Sequence, residues 1–217
     1  MSEIGPGVDG LRRPDSGIDE PTLDVALRHI SHSGAREGPG PEGLPQAAVA
    51  AVFKPGRLDT ELLFIERATR EGDPWSGHMA FPGGRSEDGD RDSFHTAERE
   101  TVEELGLDLD PAGRLGSLTD VEGGRATNRL LTVSGHCYWW PESGYPPLEP
   151  NEEVADALWV PLSDLLDRGR YIDYWYPPSG STFPGIQLDD DSKVIWGLTL
   201  RFLADLFGRL DRSFIIN

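Results

Sequence analysis

At 217 residues the chain has room for one domain with a full hydrophobic core, and its single cysteine, Cys137, excludes an intrachain disulfide and a cysteine-rich metal site. Acidic residues outnumber basic ones by 38 to 20, and the net charge of −18 argues against the nucleic-acid backbone as a partner. No apolar run approaches the roughly 20 residues of a membrane span, and the first residues lack the basic and apolar stretches of a secretory signal, so a soluble cytoplasmic protein is expected.

Residues 1–45 are rich in Gly, Pro, Asp and Ser and form an N-terminal extension, partly flexible. Within it, "PTLDVALRHI" carries Leu23, Ala26, Leu27 and Ile30 at helical spacing and predicts a short helix near 21–31. From Gln46 to Asn217 the texture is that of a folded domain. "QAAVAAVFK" and "ELLFIER" flank "PGRLD" and predict a β-hairpin. A short strand is expected at Met79–Phe81, then a helix over "RDSFHTAERETVEELGL" that stops at Gly106. "GRLGSLTDV", "LLTVSGHCYWW" and "DALWVPL" read as strands, "PLSDLLDRG" as a helix of one or two turns, and Tyr171–Tyr176 with Phe183–Leu188 as a second hairpin. "SKVIWGLTLRFLADLFGRL" predicts a closing helix with Val194, Leu198, Phe202 and Leu203 on one face. Strands clustered around two well-separated helices indicate an α+β fold with a mixed sheet.

The stretch "RETVEELG" crowds Glu100, Glu103 and Glu104 onto one helix. On a helical wheel Glu104 lies one turn after Glu100 on the same side, with Glu103 just across, and all three border the less polar stripe of Phe94, Ala97, Thr101 and Leu105. Carboxylates at such spacing repel one another and are destabilised further by partial desolvation. Two readings account for them: a solvated acidic face with Arg99 pairing locally, or an oxygen-rich site for Mg²⁺ or Mn²⁺. "FPGG" upstream marks a tight turn where backbone can approach a ligand, and a phosphate there, facing a carboxylate-bound metal, makes a coherent site for metal-assisted hydrolysis.

The segment "GGRSEDGDRDSFHTAERETVEELGL" resembles the Nudix box, G-x5-E-x7-R-E-U-x-E-E-x-G-U with U apolar. Arg99, Glu100, Glu103, Glu104, Gly106 and Leu107 fall at the required places. Asp90 stands where Glu is usual, with one extra residue before Arg99. That pattern is similar to the variant box of the coenzyme A pyrophosphatase branch, which Phe81–Gly84, Asp90, Thr96–Ala97 and Arg99–Gly106 reproduce. "VIWGLTLRFLADLF" and "NEEVADALWVPL" also look like that branch's closing helix and penultimate strand. Two positions depart from the branch's upstream signature: Glu66 stands where Thr is expected, and Asp73 occupies the place of an Arg, where a carboxylate cannot do what that Arg would do for the coenzyme.

The resemblance implies a Nudix fold, a mixed sheet between helices with the box as loop–helix–loop. It implies hydrolysis of a diphosphate in a nucleoside diphosphate derivative with Mg²⁺ or Mn²⁺. For coenzyme A or its thioesters the products would be 3′,5′-ADP and 4′-phosphopantetheine. ADP-ribose, dinucleotides and nucleoside triphosphates are the alternative substrates, and a non-catalytic Nudix-fold binding module is a further alternative. Glu100 and Glu104 are the expected metal ligands, with Glu103 a third. Arg99 is expected to orient these carboxylates through a bidentate pair. Gly83 and Gly84 shape the loop, and Glu152 or Glu153, with Glu153 preferred, is the candidate loop base. Arg125 and Arg129 are candidates to grip a phosphate, though arginines flanking a strand explain them equally. Family analogy points to a homodimer, with no nucleic acid and no membrane as partner.

Other residues carry two readings each. His78 could meet a phosphate or be a solvent-facing loop histidine, while His95 is expected on the surface. The aromatics of "CYWW" and "YIDYWYPP" could stack on a base or be half-buried strand residues. Cys137 is expected to be buried and inert.

Overall fold

The strand Gln46–Pro55 (β1) is buried along nearly its whole length, because both of its faces are covered. Ala47, Ala51 and Phe53 face one core layer, and Ala48, Ala50 and Val52 face another. This computed structural model describes residues 44, 46–57, 59–72, 75–110, 113–123, 130–141, 144–188 and 193–210. The helix expected near 21–31, Asp73, Arg125 and Arg129 lie outside them.

β1 runs antiparallel to Thr60–Arg67 (β2), with Phe53 opposite Leu62, so the predicted hairpin is present. Met79–Ala80 (β3) pairs with the far end of β2. Gly83–Arg85 (β4) lies antiparallel on β1, with Val49 opposite Gly83. Helix α1 spans Ser93–Leu105. The expected "GRLGSLTDV" strand divides into Arg114–Ser117 (β5) and Val121–Gly123 (β6), both antiparallel to Leu131–Trp139 (β7). β7 is parallel to β1, with Ala47 opposite Val133. Val154–Pro161 (β8) returns antiparallel to β2 and runs into Leu162–Leu166 (α2). One parallel pair among antiparallel ones makes the eight-stranded sheet mixed.

Tyr171–Tyr176 (β9), Ser181–Gln187 (β10) and Val194–Trp196 (β11) form a separate antiparallel sheet, in the order β11-β10-β9. The last helix, α3, is Gly197–Arg209. Here the structure corrects the sequence reading, since Val194, Ile195 and Trp196 belong to a strand. Their residue types favour a pleated surface. Gly197, at φ 62°, turns the chain from strand to helix where a side chain would be strained. The buried stripe of α3 is therefore Leu200, Phe202, Leu203, Leu206 and Phe207, with Leu198 only half-buried. This stripe packs against one face of the large sheet, while Ala97, Leu105, Leu107 and Leu109 pack on the other. The sheet is thus held between α1 and α3. No helix among the described residues is long and apolar enough to cross a membrane.

His136 of β7 ties α1 to the sheet. Its Nε2 lies 2.9 Å from Ser93 Oγ, its Nδ1 lies 2.8 Å from Ser117 Oγ, and Phe94 stacks on it at 3.8 Å. Burial lowers its pKa to about 4, since a charged imidazolium would lose its hydration there. The unfolded chain takes up this proton near pH 6.5, the folded protein near about 4, so the unfolded state binds more protons between those values. Stability from this group is present above pH 6.5 and is lost as pH falls toward 4, by on the order of 3 kcal/mol in full. His136→Gln keeps a donor and an acceptor but cannot titrate. Thermal melts from pH 7.5 to 4.5 should show a wild-type Tm that falls more steeply than that of the variant.

Candidate active site

Helix α1 begins where the Asp92 carboxylate accepts a hydrogen bond from the His95 N–H at 2.8 Å. It ends at Gly106, left-handed at φ 66°, whose N–H donates to the Val102 carbonyl. Between these caps the helix turns Glu104 fully inward, at 2% exposure, while Glu100 stays partly buried and Glu103 is exposed. The Gly83 N–H donates to Glu104 Oε2 at 2.9 Å. Neither Gly83 nor Gly84 has space for a side chain: a Cβ on Gly83 would meet the backbone of Ala48 and Val49, and one on Gly84 would meet the Glu100 carboxylate. The Gly-Gly turn, Glu100 and Glu104 therefore touch directly.

Arg99 organises the adjoining charges. Its Nε and Nη2 hold Asp90 at 3.1 and 3.0 Å, its Nη1 reaches Glu100 and Glu103 at 3.1 Å each, and Nη2 also donates to the Arg85 carbonyl. The bidentate pair is thus made with Asp90, which also accepts from Thr96 Oγ1 and the Glu87 N–H. The Arg99 hydrogen bonds hold the Asp90 carboxyl well below the usual carboxylate range. The extra residue and the Asp in place of Glu thus build a brace between the loop and α1. Glu103 faces away from the cavity described below, bound to Arg99.

The loop before β8 docks on the end of α1. The N–H groups of Glu149 and Asn151 donate to the carbonyls of Leu105 and Glu104, and Asn151 Nδ2 donates to that of Glu103. These satisfy carbonyls that a helix end leaves without partners. The Glu153 N–H then donates to Asn151 Oδ1, and the Glu153 carboxylate accepts from Arg70 Nη1 at 2.8 Å. Glu153 lines the cavity with Glu100 and Glu104, whereas the Glu152 side chain is 92% exposed. Sequence reasoning missed Arg67, at the end of β2, whose Nη1 lies 3.9 Å from Glu104 Oε1. It lies 14 residues before Phe81 in the sequence, and no local pattern marks it.

The cavity measures about 430 Å³, and Gly83, Gly84, Arg67 and the three glutamates form its charged end. His78 is part of its wall, half-buried against Trp196, and not a solvent-facing loop residue. His95 is half-buried with Nδ1 3.1 Å from Asp90 Oδ1. Of the questioned aromatics, Tyr176 lines the cavity, Tyr138 is core and Trp175 is exposed. Cys137 is buried, which pushes its thiol up to about 12.

Burial pushes the Glu104 carboxyl up to about 8, against the opposing effect of the Gly83 N–H, and raises Glu100 as well. Glu100 and Glu153 disfavour ionisation of Glu104, and Glu103 and Glu153 disfavour that of Glu100. Such a set, all hard oxygen donors short of positive charge, fits a divalent cation of the Mg²⁺ or Mn²⁺ type. Among the described residues no cluster of three or more ligating side chains closes into a cage.

A family model described as the NUDIX domain matches residues 44–177. The chain belongs to the Nudix family. It is 36% identical over 149 residues to the mitochondrial coenzyme A diphosphatase NUDT8 of Homo sapiens, covering 64% of this chain and 58% of that protein. It is 46% identical over 126 residues to the protein of the same name in Mus musculus, covering 55% and 57%. Over 189 residues it is 28% identical to Nudix hydrolase 22, chloroplastic, of Arabidopsis thaliana, covering 81% and 59%. The chain spans 57–59% of the length of these relatives.

Glu104→Gln removes the charge and keeps the shape. A carboxyl raised by folding stabilises below its unfolded pKa, and that stability is lost as pH rises from about 4.5 to about 8. Without metal, the variant should therefore melt above wild type at pH 8.5 and level with it at pH 4.5. With Mn²⁺ the order should reverse, because the ion stabilises wild type by mass action while the variant binds at least about tenfold more weakly. Melting curves at the two pH values, with and without Mn²⁺, check both halves.

Proposed function

We propose that this chain is a metal-dependent hydrolase that cleaves the diphosphate linkage of a nucleoside diphosphate derivative, with coenzyme A and its thioesters as the substrate class. The observation that carries the reading is the direct contact of the Gly83–Gly84 turn with the two desolvated glutamates of α1, at the charged end of a ligand-sized cavity. The identity to two proteins named as coenzyme A diphosphatases supports the substrate half.

Glu100 and Glu104 are the residues that would hold Mg²⁺ or Mn²⁺, while Glu103, the third ligand expected from the sequence, is bound to Arg99 and does not line the cavity. When bound, the ion neutralises diphosphate charge and makes water a stronger nucleophile at neutral pH. Arg99 is a positioning residue, fixing Glu100 through its Nη1 while Asp90 fixes Arg99. Glu153 is the proton acceptor, a carboxylate at the cavity mouth held in place by Arg70. Arg67 reaches the same end of the cavity and suits the diphosphate oxygens, so a chain of such negative charge presents a cation where the substrate is most anionic. A cytoplasmic location and a homodimer belong to the same proposal.

The test is a panel of coenzyme A, octanoyl-coenzyme A, ADP-ribose, a diadenosine polyphosphate and a nucleoside triphosphate with Mg²⁺ or Mn²⁺. The expected result is release of 3′,5′-ADP from the coenzyme compounds, at a kcat/KM at least tenfold above that for ADP-ribose. Parity with ADP-ribose would remove the substrate half, and no hydrolysis of any compound would remove the whole. Glu153→Gln should lower kcat by about 10²-fold or more with little change in KM, in steady-state assays.

A further inference from the structure

The loop that brings Glu153 to the cavity is fixed at its other end on a buried ion pair at the tip of the β1–β2 hairpin. Lys54 of β1 and Glu61 of β2 stand opposite each other there, 1% and 6% exposed, with Lys54 Nζ 2.8 Å from Glu61 Oε2. Lys54 also donates to the Pro55 carbonyl at 3.1 Å. Charges this deeply buried lose their hydration and depend on whatever partners the protein supplies. Tyr145 supplies two contacts: its ring centroid lies 3.7 Å from Nζ, and its hydroxyl donates to Glu61 Oε1 at 3.0 Å. An ammonium withdrawn from water and set against an aromatic face is held strongly. Yet Tyr145 itself is 62% exposed, so core packing is not what keeps it there. One side chain latches the loop to the sheet.

The chain between this latch and the site is stiff. Three of the five residues between Tyr145 and Asn151 are proline: Pro146, Pro147 and Pro150. Proline holds its own φ at about −65° and restricts the residue before it. Of positions 145–150 only Leu148 escapes both rules, and it is packed, half-buried, on the core layer of Ala48, Val52 and Leu105. Such a strap carries position from one end to the other, which a glycine-rich linker of the same length would not do. At its far end Asn151 Oδ1 accepts the Glu153 N–H at 2.8 Å. The Glu153 side chain and its partner Arg70 are each 42% exposed, and an ion pair that open to water fixes a carboxylate only weakly. The backbone placement of Glu153 therefore matters more than its side-chain pair.

We infer that Tyr145, latched on Lys54 and Glu61, is a positioning residue that sets the place of Glu153 through the proline-rich strap. In its catalytic consequence the inference rests on the hydrolase reading above. The placement of Asn151 and Glu153 is a property of the folded chain and can be measured without metal or substrate. Tyr145 lies outside the cavity lining, so its loss should act on kcat and leave substrate binding alone.

Tyr145→Ala empties the latch, Tyr145→Phe keeps the ring over Lys54, and Pro147→Gly combined with Pro150→Gly loosens the strap at two exposed positions. Each variant of the full chain is checked for folding by its melting curve. Hydrogen exchange of peptides covering 144–153 is then followed by mass spectrometry without metal, and hydrolysis of coenzyme A is assayed in parallel with Mn²⁺. Tyr145→Ala and the double proline variant should exchange these amides at least about tenfold faster, with those of β7 unchanged. Both should lower kcat at least about fivefold with KM within about twofold of wild type, and Tyr145→Phe should recover most of the loss. In a Glu153→Gln background Tyr145→Ala should lower kcat no further, because the two residues act as one. Unchanged exchange would overturn the inference, and so would an equal fall in kcat in the Glu153→Gln background; either result leaves the hydrolase reading standing. Faster exchange in a protein whose wild type hydrolyses no compound would support the placement by Tyr145 and remove the hydrolase reading. If Tyr145→Ala fails to fold, the double proline variant decides by the same outcomes.

Discussion

The hydrogen bond from the Gly83 N–H to the buried carboxylate of Glu104 sets the distance between β4 and α1, and most of the charged site follows from that distance. β4 lies on β1 with Val49 opposite Gly83, so the glycine is fixed to the central strand on one side and to the helix on the other. At φ 150°, and with the Ala48 and Val49 backbone where a Cβ would stand, no other residue fits. The close approach buries a carboxylate at 2% exposure beside one backbone donor and a guanidinium 3.9 Å away. That is less than a fully ionised buried carboxylate requires, and its raised pKa is the consequence.

The other charges near α1 are arranged differently. Arg99 is shared among Asp90, Glu100 and Glu103, yet its two-point contact goes to Asp90, whose carboxyl is held ionised. On the neighbouring face Glu98 receives a similar fork from Arg114 at 2.7 and 2.8 Å and the Tyr138 hydroxyl at 3.1 Å. These pairs are complete, and they anchor the helix. The helix therefore separates carboxylates that hold structure from carboxylates that remain undercompensated, in adjacent turns. Net charge of −18 spread over the chain would not produce this distinction; the placement of Arg99 and Arg114 does.

What could be read in advance follows the range of the interactions. The α1 helix, its Gly106 stop and the β1–β2 hairpin depend on caps, turns and periodicity within one segment, and all three were legible. β4 was not, because three residues with two glycines show no strand pattern and become a strand only through pairing with β1. β11 was read as helix because Val194, Leu198 and Phe202 continue a helical stripe, and the strand there is set by pairing with β10 and by the conformation of Gly197. Arg67 looked like the polar end of a strand, and its nearness to Glu104 is a tertiary fact. His78 and Trp196 are separated by most of the domain in sequence, so no local pattern could announce that their rings meet.

Glu153 shows how a local and a distant requirement are met by the same atoms. A helix end leaves carbonyls without intrahelical partners. Those of Glu103, Glu104 and Leu105 are satisfied by Asn151 and Glu149 from the loop before β8. Once Asn151 is docked, its side-chain oxygen accepts the Glu153 N–H, and the Glu153 carbonyl accepts the Ala68 N–H on the β2 side. Glu153 is then fixed on both sides at the mouth of the cavity, while Glu152, one residue earlier, points to solvent. From sequence the two neighbours are equivalent acidic loop residues. The choice between them is made by the need to finish a helix, so the hydrogen bonds that complete α1 also bring a third carboxylate to the two that α1 carries.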